Sequence, residues 1–392
     1  MSSGKVETFS NRIQFIDAIA RKIGEPLKKE EVEISLFGDS PIEETQRADI
    51  DMIEDDTQIR QTIGNSRGYI EAESIEEKKP EDFSDVIDEK NDSVDFRLDY
   101  FIDGSIRTKY IGELLLGNTG GPMVASNVGA IASFVDYKSR KVYPYRYKSN
   151  FCLYFPEDFP AGLKRSLEQI PNEIGDIQVE FLEVGESETS LRSSAGGKAR
   201  ARMHKVEIEV ATKDLPEDRG WLAIDGALRR PEFYSLPKTI GVAKSFSTKV
   251  SFLGNDGKPP RTISHLARLK RGQRSPIYKY RVNSSEEGGL EVEKLIFWYL
   301  RLREAPPEMA PLGGIVKIDL GISSETKQEE LPRFADQLSY SVLKVMNPSI
   351  FPRPRWPSFV YPVRVSEEYL DSLLFNQLEF NRLGMILRSV II

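Results

Sequence analysis

Asp103 and Asp225 each close an apolar, strand-like run and are each followed by glycine, in Tyr100-Phe101-Ile102-Asp103-Gly104-Ser105 and in Trp221-Leu222-Ala223-Ile224-Asp225-Gly226. A carboxylate at a strand end beside a glycine leaves room for a tight turn and for a substrate to approach the acid. Asp-Gly is also ordinary turn chemistry, so either copy alone carries little. Two copies on comparable strand ends point instead to acids gathered from distant positions at one sheet edge to hold divalent metal. Phosphodiester hydrolysis by two cations about 3.5–4 Å apart uses such a set, one cation activating water and the other stabilising the leaving oxygen. A third acid comes from a helix. Met203, Val206, Glu207, Val210 and Ala211 follow the i, i+3, i+4, i+7, i+8 pattern of a buried face, where a carboxylate is costly unless paired or metal-bound. The metal set expected is therefore Asp103, Glu207 and Asp225, and a shifted helix register would exchange Glu207 for Glu209. Lys244, at the end of an apolar strand, is placed to steady a scissile phosphate; its plainer reading is a surface lysine.

The two histidines, His204 and His265, are far apart and lack a ligand spacing such as H-x-x-x-H, which speaks against zinc. An oxygen-rich acid set calls for Mg2+ or Mn2+. The most basic segment, His265 to Arg274, runs on to Tyr278-Lys279-Tyr280-Arg281. Its Arg268, Lys270, Arg271 and Arg274 suit a loop that tracks DNA phosphates while the aromatics stack on bases, although a solvated basic loop has the same composition. The net charge of −7 excludes nucleic-acid capture by total charge, so a local patch has to do it. Cys152 is the single cysteine, within Phe151-Cys152-Leu153-Tyr154-Phe155, and reads as a buried, inert thiol with no intrachain disulfide. Gly117 to Pro122 is glycine-rich but lacks the lysine and hydroxyl residue of a phosphate-binding P-loop, and reads as a turn. With no apolar run near the roughly 18 residues that span a bilayer, a cytoplasmic protein without membrane contact is expected.

The elements that must position these residues begin with an amphipathic helix from about Phe9 to Gly24. Carboxylates dominate Glu43 to Asp56 and Glu71 to Asp92, as in loosely packed helix and linker. The domain boundary falls near Asp95, giving an N-terminal helical and acidic extension (1–95) and one catalytic domain (96–392). Strands are expected at Leu98–Ile102, Thr108–Leu116, Val124–Asp136 and Lys141–Tyr147, then at Trp221–Asp225, Thr239–Phe252, Glu291–Leu302 and Gly314–Leu320. Helices are expected at Ala161–Ile170, Ser190–Lys213, Leu331–Met346 and Ser366–Leu383.

This order predicts a mixed α/β fold, and specifically the ribonuclease H-like arrangement: three antiparallel strands, a helix, then a strand parallel to the first that brings its acid alongside. From Phe96 onward the chain resembles the NurA nucleases, partners of HerA-type ATPases. Ile102-Asp103-Gly104-Ser105 is similar to the first acidic motif of that family and Ile224-Asp225-Gly226-Ala227-Leu228 to the second. Gly241-Val242-Ala243-Lys244-Ser245 is similar to its lysine-bearing strand, and Val360-Tyr361-Pro362 to the Tyr-Pro before its last helix. The resemblance implies a Mn2+- or Mg2+-dependent deoxyribonuclease, a homodimer docked on a hexameric HerA-like translocase in DNA end processing or phage defence. Where the family has a histidine after Tyr-Pro, this chain has Val365-Ser366-Glu367-Glu368-Tyr369. An acid is expected to take over, with Glu368, one helical turn from Asp371, as the candidate. The missing histidine also supports a noncatalytic adaptor that binds the ATPase. A PIWI-type nuclease of the same fold is the third reading, set against the absence of guide-binding domains in so short a chain.

Overall fold

The computed structural model describes residues 9–35, 70–174, 177–183, 188–228, 230–253, 262–280, 294–304, 311–323, 326–346 and 360–392. The acidic stretch Glu43–Asp56 lies outside the described residues. The centre is a long antiparallel meander, β4 (Leu98–Leu116), β5 (Thr119–Asp136) and β6 (Lys141–Pro156). The β4–β5 turn is two residues long, with Gly117 at φ +59°, where a side chain would be strained. β8 (Trp221–Asp225) lies parallel beside β4, and β9 (Thr239–Ala243) parallel beside β8. The sheet continues through β14 (Ile315–Gly321), β13 (Leu295–Arg301), β12 (Tyr278–Tyr280), β2 (Ile70–Ser74) and β10 (Val250–Leu253), while β7 (Ile177–Leu182) closes the other edge. The result is a mixed α/β fold with one large sheet flanked by helices.

Alternation along the strands sends successive side chains to opposite faces. On one face Tyr100 and Ile102 pack with Met203, Val206 and Val210 of α4 (Glu188–Glu209) and its extension. On the other, Phe101, Trp221, Ala223, Ile240 and Val242 pack against Ala335, Leu338 and Val342 of α7 (Leu331–Lys344) and Val363 of α8 (Tyr361–Leu373). Among the described residues, smaller helices also precede α7: α2 (Ala161–Glu168), α3 (Ile170–Ile174) directly after it, α5 (Pro231–Tyr234) and α6 (Thr262–Leu266). The C-terminal α9 (Gln377–Ile391) packs on α1 (Phe9–Lys29), whose Ile16, Ile19, Ala20, Ile23 and Leu27 form its buried stripe.

Three expectations are corrected. The segments Leu98–Ile102 and Thr108–Leu116 form one continuous strand, so Asp103-Gly104 is strand interior rather than a strand end. The helix expected over Ser366–Leu383 is two helices, α8 starting at Tyr361 with Pro362 in its first turn. The break between them carries a capping box: Asn376 accepts from the Glu379 N–H, and the Glu379 carboxylate accepts from the Asn376 N–H. Finally, the described part of residues 1–95 belongs to the same sheet and core. β2 pairs with β10 and β12, β1 (Glu33–Ser35) with β4, and β3 (Ser84–Asp85) with β11 (Gln273–Arg274).

No helix among the described residues is long and apolar enough to cross a membrane.

Candidate metal centre

β4 and β8 stay paired through Ile102 and Ile224, so the next residue of each, Asp103 and Asp225, stands at the same level. Both continue the series Phe101 and Trp221, Ala223 on the α7/α8 face of the sheet. On β9 the same face carries Ile240 and Val242, and Lys244 follows directly after the strand's last residue, Ala243. Beyond Asp225 the chain turns sharply at Gly226, where φ is +110°; here the Asp-Gly reading as strand-end turn chemistry applies.

The third acid comes from α8 and is Glu367. Carboxylate oxygens of Asp103, Asp225 and Glu367 lie within 4.8 Å of one another, the only such group among the described residues. A cation bonded at roughly 2.0–2.6 Å can bridge oxygens up to about 5 Å apart, so the three donors can share one ion. All three are hard oxygen donors with no histidine or thiolate among them, which fits magnesium or manganese and not zinc. Lys244 Nζ lies 3.1 Å from Asp225 Oδ2 and 2.9 Å from Glu367 Oε1. Burial opposes the ammonium charge, yet Asp225, Glu367 and Asp103 outweigh it and raise the Lys244 pKa. Lys244 is thus an interior partner of the acids rather than a surface lysine. Of the two acids paired with Lys244, Glu367 of α8 is the more accessible, its side chain 29% exposed against 9% for Asp225.

Glu368 is not at the centre. It points outward, 59% exposed, and pairs with Arg364 at 3.0 Å. The reason is helical phase. Glu367 follows the buried Val363 by four and precedes the buried Leu370 by three, on the sheet-facing side, whereas Glu368 lies a further 100° round the helix. That spacing was available in the sequence. Ser366 locks α8 in place: its hydroxyl donates to Pro362 O at 3.0 Å and accepts from Ser133 of β5 at 2.7 Å, both serines fully buried. This pair sets the rotation of α8 beside the residue that carries the third acid.

Glu207 is the buried glutamate of α4 and Glu209 the outward one, beside Lys148 at 3.6 Å. It lies on the face of the sheet opposite Asp103, so it is not part of the clustered acids. Its Oε2 is 2.8 Å from His204 Nδ1. Its carboxylate rests against Gly104, where a Cβ would stand 2.3 Å from Glu207 Oε1. Gly104 therefore serves close approach and not a turn.

Of the basic residues, Arg268, Lys270 and Arg271 are exposed after α6. Arg274 is not a DNA contact. It is fully buried, its guanidinium reaching Glu76 at 2.9 and 3.2 Å and Asp336 at 2.5 Å. The exposed trio leads into β11, whose register puts it at the end of the sheet where Asp225 sits: Arg274 pairs with Leu300, Tyr299 with Lys317, and Lys317 with Ala243. Four strand spacings separate β11 from β8, roughly 19 Å across the sheet.

Cys152 is fully buried in β5–β6 packing, and burial pushes its thiol pKa up to about 11, so little thiolate forms at neutral pH. His265 is also buried, tilted against Phe83 and Phe252 with Tyr278 Oη 3.5 Å away. Burial, and secondarily Arg268, hold its pKa down to about 4. Between roughly pH 6.5, where the unfolded chain takes up this proton, and pH 4, where the folded chain does, stability should fall as pH falls, by up to about 3 kcal/mol. Urea unfolding at pH 7.5 and 4.5 checks this; His265→Phe is expected to remove that part of the pH dependence, and an unchanged dependence would count against it.

No protein-family model and no curated protein sequence matches the chain.

Proposed function

We propose that the protein is a divalent-metal-dependent deoxyribonuclease with a ribonuclease H-like core, similar to NurA. The carrying observation is the convergence of Asp103, Asp225 and Glu367, from three elements far apart in sequence, around Lys244. The β6-β5-β4-β8-β9 order, with β4 parallel to β8, supports the core assignment. Mn2+ or Mg2+, when bound, would lower the pKa of attacking water and offset charge on the phosphate. Asp103, Asp225 and Glu367 would hold the metal, and Lys244 would meet a non-bridging phosphate oxygen from β9. Arg268, Lys270 and Arg271 would guide the DNA backbone toward the acids along the same end of the sheet. An adaptor has no use for three carboxylates brought together against their mutual repulsion, which favours the enzyme over the noncatalytic reading. The NurA resemblance extends the proposal to a cytoplasmic homodimer acting with a HerA-like hexameric ATPase in end processing or phage defence.

The test is cleavage of end-labelled linear and single-stranded DNA in Mn2+ or Mg2+, with EDTA as control. Glu367→Gln should lose cleavage by a hundredfold or more, on the order of the few kcal/mol that a metal ligand supplies, while Glu368→Gln should cleave like the wild type. Absence of any metal-dependent cleavage by the wild type would refute the enzyme reading, and a fully active Glu367→Gln would refute the ligand assignment.

A further inference from the structure

On the reverse face of the sheet from the acids lies a buried ion pair that nothing in the metal chemistry uses. Lys317 and Asp319 of β14 are 3% and 4% exposed, and Lys317 Nζ lies 2.9 Å from Asp319 Oδ1. The ammonium also sits 4.8 Å from the Phe297 ring and 5.3 Å from that of Tyr280. The alternation that puts Val316, Ile318 and Leu320 with α7 sends both charged residues away from it.

The second oxygen of Asp319 has a specific task. Asp319 Oδ2 accepts the Leu228 N–H at 3.1 Å, three residues beyond Asp225. The turn that begins there is anchored at its first residue by Gly226 N–H to Val242 O at 3.1 Å. It then lies across Gly241, the residue paired with Asp319 on the neighbouring strand. A Cβ at Gly241 would stand 2.7 Å from Gly226 O and 2.9 Å from Leu228 N, so a missing side chain on β9 lets the turn reach β14.

We propose that Asp319 is a positioning residue for Asp225: held by Lys317 and by the gap at Gly241, it clamps the Gly226–Leu228 turn and so aims the aspartate at the metal centre. The ionised carboxylate is a stronger acceptor for the Leu228 N–H than a neutral group, which explains a charge kept in so dry a place. The pair lies on the opposite face of the sheet from the acids and Lys244, so its influence passes through the backbone of the turn. This inference rests on the metal-centre reading for its functional consequence, but the clamp itself can be measured without metal.

Two double variants separate clamping from mere packing, because both delete the ion pair. Lys317→Met/Asp319→Asn keeps an oxygen acceptor for Leu228; Lys317→Met/Asp319→Leu does not. Two readouts apply: Mn2+ affinity by calorimetry, and amide exchange at residues 226–228 by mass spectrometry on the metal-free chain. The asparagine pair is expected to bind Mn2+ within about threefold of wild type, and the leucine pair to bind roughly 10- to 100-fold more weakly, the range found when groups that orient metal ligands are removed. Exchange at the turn should speed at least about tenfold in the leucine pair alone. Lys317→Met/Asp319→Ala replaces the leucine pair should that variant not fold. Equal exchange and equal Mn2+ affinity in the two variants would overturn the proposal. If the wild type binds no Mn2+, the metal-centre reading fails, and exchange at the turn then decides the clamp by itself.

Discussion

Asp225→Asn and Asp103→Asn should each lower metal-dependent DNA cleavage by at least about a thousandfold while leaving DNA affinity within about twofold. The asymmetry follows from where charge acts. A carboxylate ligand supplies several kcal/mol of transition-state stabilisation through the metal, and each 1.36 kcal/mol is tenfold in rate. The phosphate contacts proposed for Arg268, Lys270 and Arg271 would lie several strands away and would be untouched by the substitution. The metal-free variants should also be no less stable than the wild type. Three carboxylates share one ammonium at this site, so neutralising an acid relieves repulsion, as is common where catalytic residues are gathered against local stability. Cleavage kinetics, binding isotherms and urea unfolding on the same samples check the three statements. A variant that cleaves normally would remove its aspartate from the centre, and one that unfolds early would show that the acid has a structural role.

Arg274→Ala should destabilise the fold by about 3–5 kcal/mol, the cost of leaving a buried carboxylate without its partner. Arg274 is fully buried. It donates to both oxygens of Glu76, to Asp336, and to the carbonyls of Ser275 and Pro332. Glu76 also accepts from the Ile277 N–H at 2.8 Å. Burial works against the Glu76 charge, and the Arg274 contacts outweigh it and hold the carboxyl pKa below its usual value. The network ties the strand before Glu76 to α7 and to β11, across the sheet from N-terminal to C-terminal sequence. Arg268→Ala, at an exposed position, should shift stability by no more than about 0.5 kcal/mol. Urea midpoints distinguish the two. An Arg274→Ala protein of unchanged stability that binds DNA poorly would return Arg274 to the DNA path.

Much of the architecture was legible because its signals are local. Apolar, strand-forming runs mark the two stretches of β4 that flank Asp103, helical spacing separates Glu207 from Glu209, and a glycine after Asp225 announces the turn that Gly226 makes at positive φ. The same locality misread Asp103-Gly104. Asp-Gly signals a turn only when the flanking register ends, and here β5 pairs with β4 straight through it. The capping box at Asn376 and Glu379 was also visible, and read for its chemistry it would have split the last helix.

The sequence by itself determined which residues have the chemistry: two aspartates on apolar strands, a lysine at the end of a third, a buried-face glutamate on one helix, acids on another, and a basic segment. Only the tertiary structure decided which of them meet. Glu207 and Glu367 both lie on sheet-facing helix positions, but α4 covers one face and α8 the other, and Asp103 and Asp225 point toward α8. Likewise Arg274 and Arg271 are alike in type, and a network from Glu76 and Asp336, distant in sequence, buries one and not the other. Periodicity fixes a side chain's direction relative to its own element. The face that element turns to the rest of the chain is set by long-range packing, where the free energy of burial is shared among segments that no local window contains.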